Sequence, residues 1–273
     1  MSKSPFKDNK ALKADIENFL NVHRSTFSQE VDRTSAFFEI AVFNDVVRYY
    51  EANDYLVEPK NLKPKNKQFV YALSPNAKPE NVSHFHITKV YESKPNREFE
   101  VRHNVRIQSA HDDRVYVSPD YAVIEPESVQ FTHVNHYYYS KAKYFYVKSE
   151  NVATFAETKH YNPGPELVLN FVGLVNEIMP SLISGTAPSH LPKHFGPTLF
   201  VSGVGNSHIK DIKDSLMDRY KINVLLGLFA YPSQLYSARN QAFIEKIGSK
   251  NADKSIKAPA SGLRRRLRLR PFS

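Results

Sequence analysis

The sequence predicts a mixed α/β domain built on one central sheet flanked by helices. Apolar residues make up 41% of the 273 residues and charged residues 24%, a globular rather than a disordered composition. The apolar pattern is helical near the start, changes to short β-branched and aromatic runs over 68–160, and turns helical again after Pro165. Helix, several strands, helix, strand, helix, strand is therefore the expected order. Only the later strands are separated by helices, so the sheet should be only partly parallel.

Each element has its own signal. Leu12, Ile16, Phe19 and Leu20 mark an amphipathic helix over 10–22. A stronger helix is predicted over 34–52. At about 100° per residue, Ser35, Ala36, Phe43, Val46 and Tyr50 fall within roughly 60° of Glu39. An acid thus lies in the middle of the stripe expected to pack on the sheet. Residues 53–67 are Pro- and Lys-rich and read as a connection. Six strand-like runs follow up to Tyr161, punctuated by Pro, Asn and Asp. Pro165 suits the first turn of a helix over 165–179. Residues 198–204 read as a buried strand. The turn Gly203-Val204-Gly205-Asn206-Ser207 lacks the lysine of a phosphate loop, so Asn206 or Ser207 is read as a helix N-cap. A helix and a strand from Asn223 complete the domain. The expected division is a helical extension over 1–33, a domain over 34–247 and a flexible basic tail over 248–273.

Composition narrows the chemistry. There is no cysteine, which excludes a disulfide scaffold, a Cys-ligated zinc site and a thiol nucleophile. Lys and Arg number 37 against 28 Asp and Glu, a net charge of +9 that suits a polyanionic partner. The N-terminus has no apolar core of signal-peptide length, and no apolar run approaches the roughly 20 residues needed to span a bilayer. The expectation is a soluble, cytoplasmic protein with no membrane partner.

Three positions carry a chemical pattern. Pro119-Asp120 heads an apolar strand, and Glu157-Thr158-Lys159 ends another. Alternation places Glu157 and Lys159 on one face with Ala153 and Phe155. An ionised Glu157 is costly to bury there unless a cation faces it, and Lys159 or a metal ion would serve. Histidines offer less. His84-x-His86 and His133-x-x-His136 bring no third ligand at a recognisable spacing, and cross-strand packing explains them better.

On Pro119-Asp120, Glu157-Thr158-Lys159 and Glu39, the sequence resembles the PD-(D/E)xK, or restriction-endonuclease-like, nuclease superfamily. The resemblance spans about 34–220. It implies an αβββαβ core, with the motif Asp on the second strand, Glu-x-Lys on the third and Glu39 as the acid of the first helix. The interval from Asp120 to Glu157 exceeds a simple hairpin, so 126–150 is expected to be an insertion. The helix over 165–179 lacks the family's Gln and Tyr signatures, which leaves the subfamily open.

The resemblance implies a Mg²⁺-dependent nuclease, with Mn²⁺ as a substitute, acting on nucleic acid, most naturally DNA. Asp120, Glu157 and the Thr158 carbonyl would hold the metal. Lys159 would act on the attacking water, and Glu39 would hold a water or a second ion. Making two cuts in a duplex would favour a homodimer. Tyrosines and lysines interleave over 136–148, a run that a Tyr-packed hairpin explains slightly better than a nucleic-acid surface, with Lys141 and Lys143 the candidate nucleic-acid contacts. Arg264, Arg265, Arg266 and Arg268 would add sequence-independent phosphate affinity. The alternative function is a nuclease-fold subunit that binds nucleic acid or assembles without cutting.

Overall fold

In chain order the elements begin with α1 (Asn9–Val22), β1 (Thr26–Phe27), α2 (Thr34–Ala52), β2 (Tyr55–Lys60), β3 (Gln68–Phe69) and β4 (His84–Lys89). Next come β5 (Arg97–His103), β6 (Arg106–Gln108), β7 (Tyr116–Val117), β8 (Tyr121–Ile124), β9 (Gln130–Asn135), β10 (Lys141–Lys148) and β11 (Val152–Lys159). The chain continues through α3 (Pro165–Ile178), α4 (Pro180–Ile183), β12 (His194–Phe195), β13 (Thr198–Val201), α5 (Ser207–Arg219), β14 (Asn223–Leu225) and β15 (Lys246–Ile247). This computed structural model describes residues 8–27, 34–135, 141–186, 191–228 and 244–248. The basic tail, with Arg264, Arg265, Arg266 and Arg268, lies outside the described residues, as does the 136–140 part of the tyrosine run.

The central sheet has seven strands in the order β14-β13-β11-β8-β5-β4-β2. From β2 to β11 all neighbours are antiparallel, while β11, β13 and β14 run parallel. The helices explain the change of direction. α3 lies between β11 and β13 and α5 between β13 and β14, and a helical crossover returns the chain to the same sheet end. β11 is thus the strand at which antiparallel pairing gives way to parallel.

Two apolar clusters cover the two faces. One joins α1 and α2 to Phe99, Val101, Val123, Ala156 and Phe200. The other joins α3 and α5 to Ala122, Ile124, Phe155, Leu199 and Val201. Asp8 caps α1, its carboxylate accepting from the backbone N–H of Lys10 at 2.9 Å. Leu12, Ile16, Phe19 and Leu20 are buried as the spacing requires. Each such burial is worth about 2 kcal/mol.

Three expectations are corrected. Residues 55–60, read as part of a connection, form β2, the edge strand of the large sheet. Pro59 is tolerated there because an edge strand leaves one row of N–H groups unpaired. α2 is not a one-sided helix: Phe37, Phe38 and every residue from Ile40 to Val47 are buried, because α1 covers the side turned away from the sheet. Ala153 does not share a face with Phe155. The β8–β11 register shifts between Val152 and Thr154, so Ala153 joins the α2-side cluster and Phe155 the α3-side cluster. The segment 126–150, expected as an insertion, carries strands. Its strands β9 and β10 join β6 and β7 in a second sheet, ordered β7-β6-β10-β9.

Candidate active site

Antiparallel pairing of β8 and β11 places Ala156 opposite Tyr121. The next residue outward on each strand is Glu157 on β11 and Asp120 on β8, so both acids sit at one sheet end. That end is also the carboxyl end of β11, beside its parallel neighbour β13, where open α/β sheets present their ligand sites.

Thr158 secures Asp120. Its backbone N–H and its hydroxyl both donate to Asp120 Oδ2, the hydroxyl at 2.6 Å. Lys159 pairs with Glu157 Oε1, while the buried Glu157 Oε2 has no hydrogen-bond partner among the described residues. Glu39 reaches the same place from α2. Asn104 Nδ2 donates to Glu39 Oε1 at 2.7 Å, and His103 Nε2 lies 2.5 Å from that oxygen.

The electrostatics follow from burial and crowding. Burial, then the Asp120 charge, pushes the Glu157 carboxyl up to about 7, against the pull of Lys159. Burial, then Glu39, likewise raises Asp120, against Lys159 and Thr158. Burial would also raise Glu39, but His103, Asn104 and Lys159 outweigh it and hold that carboxyl below its ordinary value. The Lys159 ammonium, disfavoured by burial, is held up by Glu157 and Asp120. Three acids and one lysine therefore form a single interacting group with surplus negative charge.

Such a group suits an added cation. Like charges repel across a partly dry site, and one carboxylate oxygen lacks a partner among the described residues. Among the described residues, no group of three or more His, Cys, Asp or Glu could hold a metal ion by itself. A divalent ion here would rest on Asp120 and Glu157 and draw its other ligands from water and substrate oxygens, which is the usual habit of Mg²⁺. Thr158, expected as a carbonyl ligand, is seen to act through its N–H and hydroxyl as a support for Asp120.

His103 and Asn104 carry no motif that marks them in the sequence. Asn104 has φ 50° and donates its backbone N–H to Asp120 O at 2.6 Å, so one turn residue touches two of the three acidic segments. The only clue in the sequence is a His-Asn pair within the alternating run REFEVRHNVRIQ, an ordinary turn signal. The other histidine pattern resolves as cross-strand pairing, with His84 Nε2 3.7 Å from Glu100 and His86 Nε2 3.3 Å from Glu98. Asn206 is the N-cap of α5, accepting from Ile209 N–H at 3.0 Å.

Lys143 is exposed on β10, its Nζ 4.0 Å from the Phe131 ring centroid. Lys141 begins the same strand, opposite Asn135. Lys143 does not belong to the acidic group. Among the described residues, no helix is long and apolar enough to cross a membrane.

No protein-family model, curated protein or solved structure matches this chain.

Proposed function

We propose that this protein is a Mg²⁺-dependent nuclease of the PD-(D/E)xK type that hydrolyses phosphodiester bonds, with DNA as the favoured substrate. The observation that carries the reading is the meeting of Asp120 and Glu157, distant in sequence, at one sheet end, where the Asp120 charge helps to raise the Glu157 carboxyl and Lys159 pairs with Glu157. The order of elements supports it: α2, then the adjacent strands β5, β8 and β11, then α3, then β13 beside β11.

In the reaction a water oxygen bonds to phosphorus, one P–O ester bond breaks, and the departing oxygen takes a proton. A bound Mg²⁺ would polarise the phosphate and acidify water. The chain's own residues do the rest. Asp120, fixed by two hydrogen bonds from Thr158, gives one rigid carboxylate. Glu157 supplies the second, with Oε2 lacking a hydrogen-bond partner among the described residues. Lys159 can turn its ammonium from Glu157 towards the attacking water and offset the charge that gathers on the phosphoryl oxygens. Glu39, held ionised by His103 and Asn104, can accept a hydrogen bond from a further water.

The test is incubation of the pure protein with plasmid, linear duplex, single strands and RNA, with and without Mg²⁺. Cleavage of at least one substrate is expected only with the metal, and both Asp120→Ala and Glu157→Ala should abolish it. Full Mg²⁺-dependent activity in both variants would overturn the assignment.

A further inference from the structure

The junction between β5 and β6 puts two arginines into the wall of one cleft. Arg102 stands one residue before the end of β5, and Arg106 opens β6. Ala72, Pro75, Val82, Val129 and Phe145 line the same cleft, so both side chains border apolar surface.

Charge is out of balance there. Glu100 is buried and accepts the Arg102 Nε–H on Oε2 at 2.6 Å. The two terminal nitrogens of Arg102 have no partner among the described residues. Arg106 is buried too, and it donates to neutral acceptors, the Pro75 carbonyl at 2.7 Å and the Asn76 side chain. No acid pairs with Arg106 among the described residues, and burial pulls its pKa below the ordinary value. His84, 3.7 Å from Glu100, adds no charge at pH 7, because burial and then the Arg102 charge bring its pKa down to about 4. Two guanidinium charges thus share one carboxylate.

Register sets the distance to the acids. Arg102 is opposite Ala122 of β8, two residues beyond Asp120. One diagonal step across an antiparallel pair is about 7–8 Å. Ala122 packs in the α3-side cluster, as does Phe155, two residues before Glu157. Alternation therefore puts Arg102 on the sheet face that Phe155 and Glu157 share. Glu100, opposite Ile124, lies further from the acidic end, so its bond to Nε draws the guanidinium away from the acids.

We infer that Arg102 binds a backbone phosphate of the nucleic acid next to the phosphate cut at Asp120 and Glu157, with Arg106 adding its charge to the same cleft. The inference rests on the nuclease reading and adds to it a substrate-binding residue outside the metal site. Local charge selects the ligand class, since a buried guanidinium without its own counter-ion favours an anion. The fork of terminal N–H groups selects phosphate, whose oxygens it meets in pairs. Spacing selects the neighbouring phosphate, because the bond to Glu100 keeps Arg102 from the one on the metal.

Calorimetric titration of the full-length protein with thymidine 3′,5′-bisphosphate, in EDTA and then in Ca²⁺, tests this without cleavage. The wild type should bind in EDTA, and Arg102→Ala should weaken that binding about tenfold or more. Arg102→Lys keeps a charge for Glu100 but loses the fork, and should fall between the two. Glu100→Gln removes the acid facing the site and should tighten binding about threefold or more, which a merely structural Arg102 would not produce. Arg114→Ala, which removes a guanidinium whose side chain is 85% exposed, is the control that changes nothing. Ca²⁺ should tighten binding further in the wild type and in Arg102→Ala, by joining the second phosphate to the acids, and should have no such effect in Asp120→Ala.

The inference is overturned if the wild type does not bind the bisphosphate, if Arg102→Ala, folded by circular dichroism, binds it equally well, or if Glu100→Gln binds it no more tightly. It is also overturned if Arg102→Ala abolishes the Ca²⁺ effect, since one phosphate would then serve both sites. Failure of the nuclease reading looks different: binding that depends on Arg102 but not on Ca²⁺, with no metal-dependent cleavage of any substrate.

Discussion

Replacing Glu157 by Gln should stabilise the protein at pH 8 and make little difference at pH 4.5. The folded protein holds the Glu157 carboxyl at about 7, against an ordinary 4.5. Between those values the folded state binds a proton that the unfolded chain has released, so stability falls as pH rises through the window. Below 4.5 both states are protonated and the penalty is absent. Above 7 both are ionised and the penalty is complete, at about 3 kcal/mol. Gln keeps the shape and removes the charge. Lys159 loses its partner in the variant, which takes back part of the gain and leaves an expected 1–3 kcal/mol, on the order of a single buried ion-pair effect. Urea denaturation at pH 4.5 and 8 reads the difference directly, since groups that titrate alike in both proteins cancel. Mg²⁺ supplies the second arm. At ten times its Kd, a bound ion adds about 1.4 kcal/mol, and this should appear in the wild type at pH 8 and be largely lost in the variant. A variant no more stable than the wild type at pH 8, or shifted equally at both pH values, would refute the argument that crowded negative charge is stored here.

Further outcomes follow from the same geometry. Lys159→Ala should keep Mg²⁺ binding, measured calorimetrically, yet lower turnover by about a hundredfold or more, because its work is done in the transition state. The Asp120→Ala, Glu157→Ala double variant should cleave scarcely worse than either single one, since the two acids act as a unit. Asn104→Gly preserves the positive φ but deletes the hydrogen bonds to Glu39 and Ala72, both 2.7 Å, and should cost about 2 kcal/mol in urea denaturation. Asn206→Ala should cost about 1 kcal/mol through loss of the α5 cap and leave the Mg²⁺ response of the site unchanged.

Local chemistry made much of the architecture legible. The helix over 34–52 matches α2, Pro165 opens α3, and the apolar runs around Asp120 and Glu157 are β8 and β11. These elements are marked by period, by caps and by Pro, all within a few residues of one another. β2 was hidden because Pro59 and the lysines around it resemble a linker, and only an edge position makes them acceptable in a strand. The nearly complete burial of α2 was hidden for another reason: what covers its outer side is α1, some 20 residues earlier in the chain.

The same division runs through the site. The sequence by itself determined which residues are chemically unusual: acids at Glu39, Asp120 and Glu157 within apolar surroundings, and Lys159 two positions from one of them. Side-chain alternation and helical period suffice for that, because both are properties of a single element. Whether those charges meet was decided by the tertiary structure, through the antiparallel register of β8 on β11 and the fit of α2 across the sheet. Tertiary contacts also recruited His103 and Asn104 and brought the β9–β10 sheet beside the acids, by way of a turn at Asn104 that joins both sheets. Composition and period describe what a residue is and which way its own element faces. The energy of a buried charge depends on what stands opposite, and that is a contact between segments far apart in the chain.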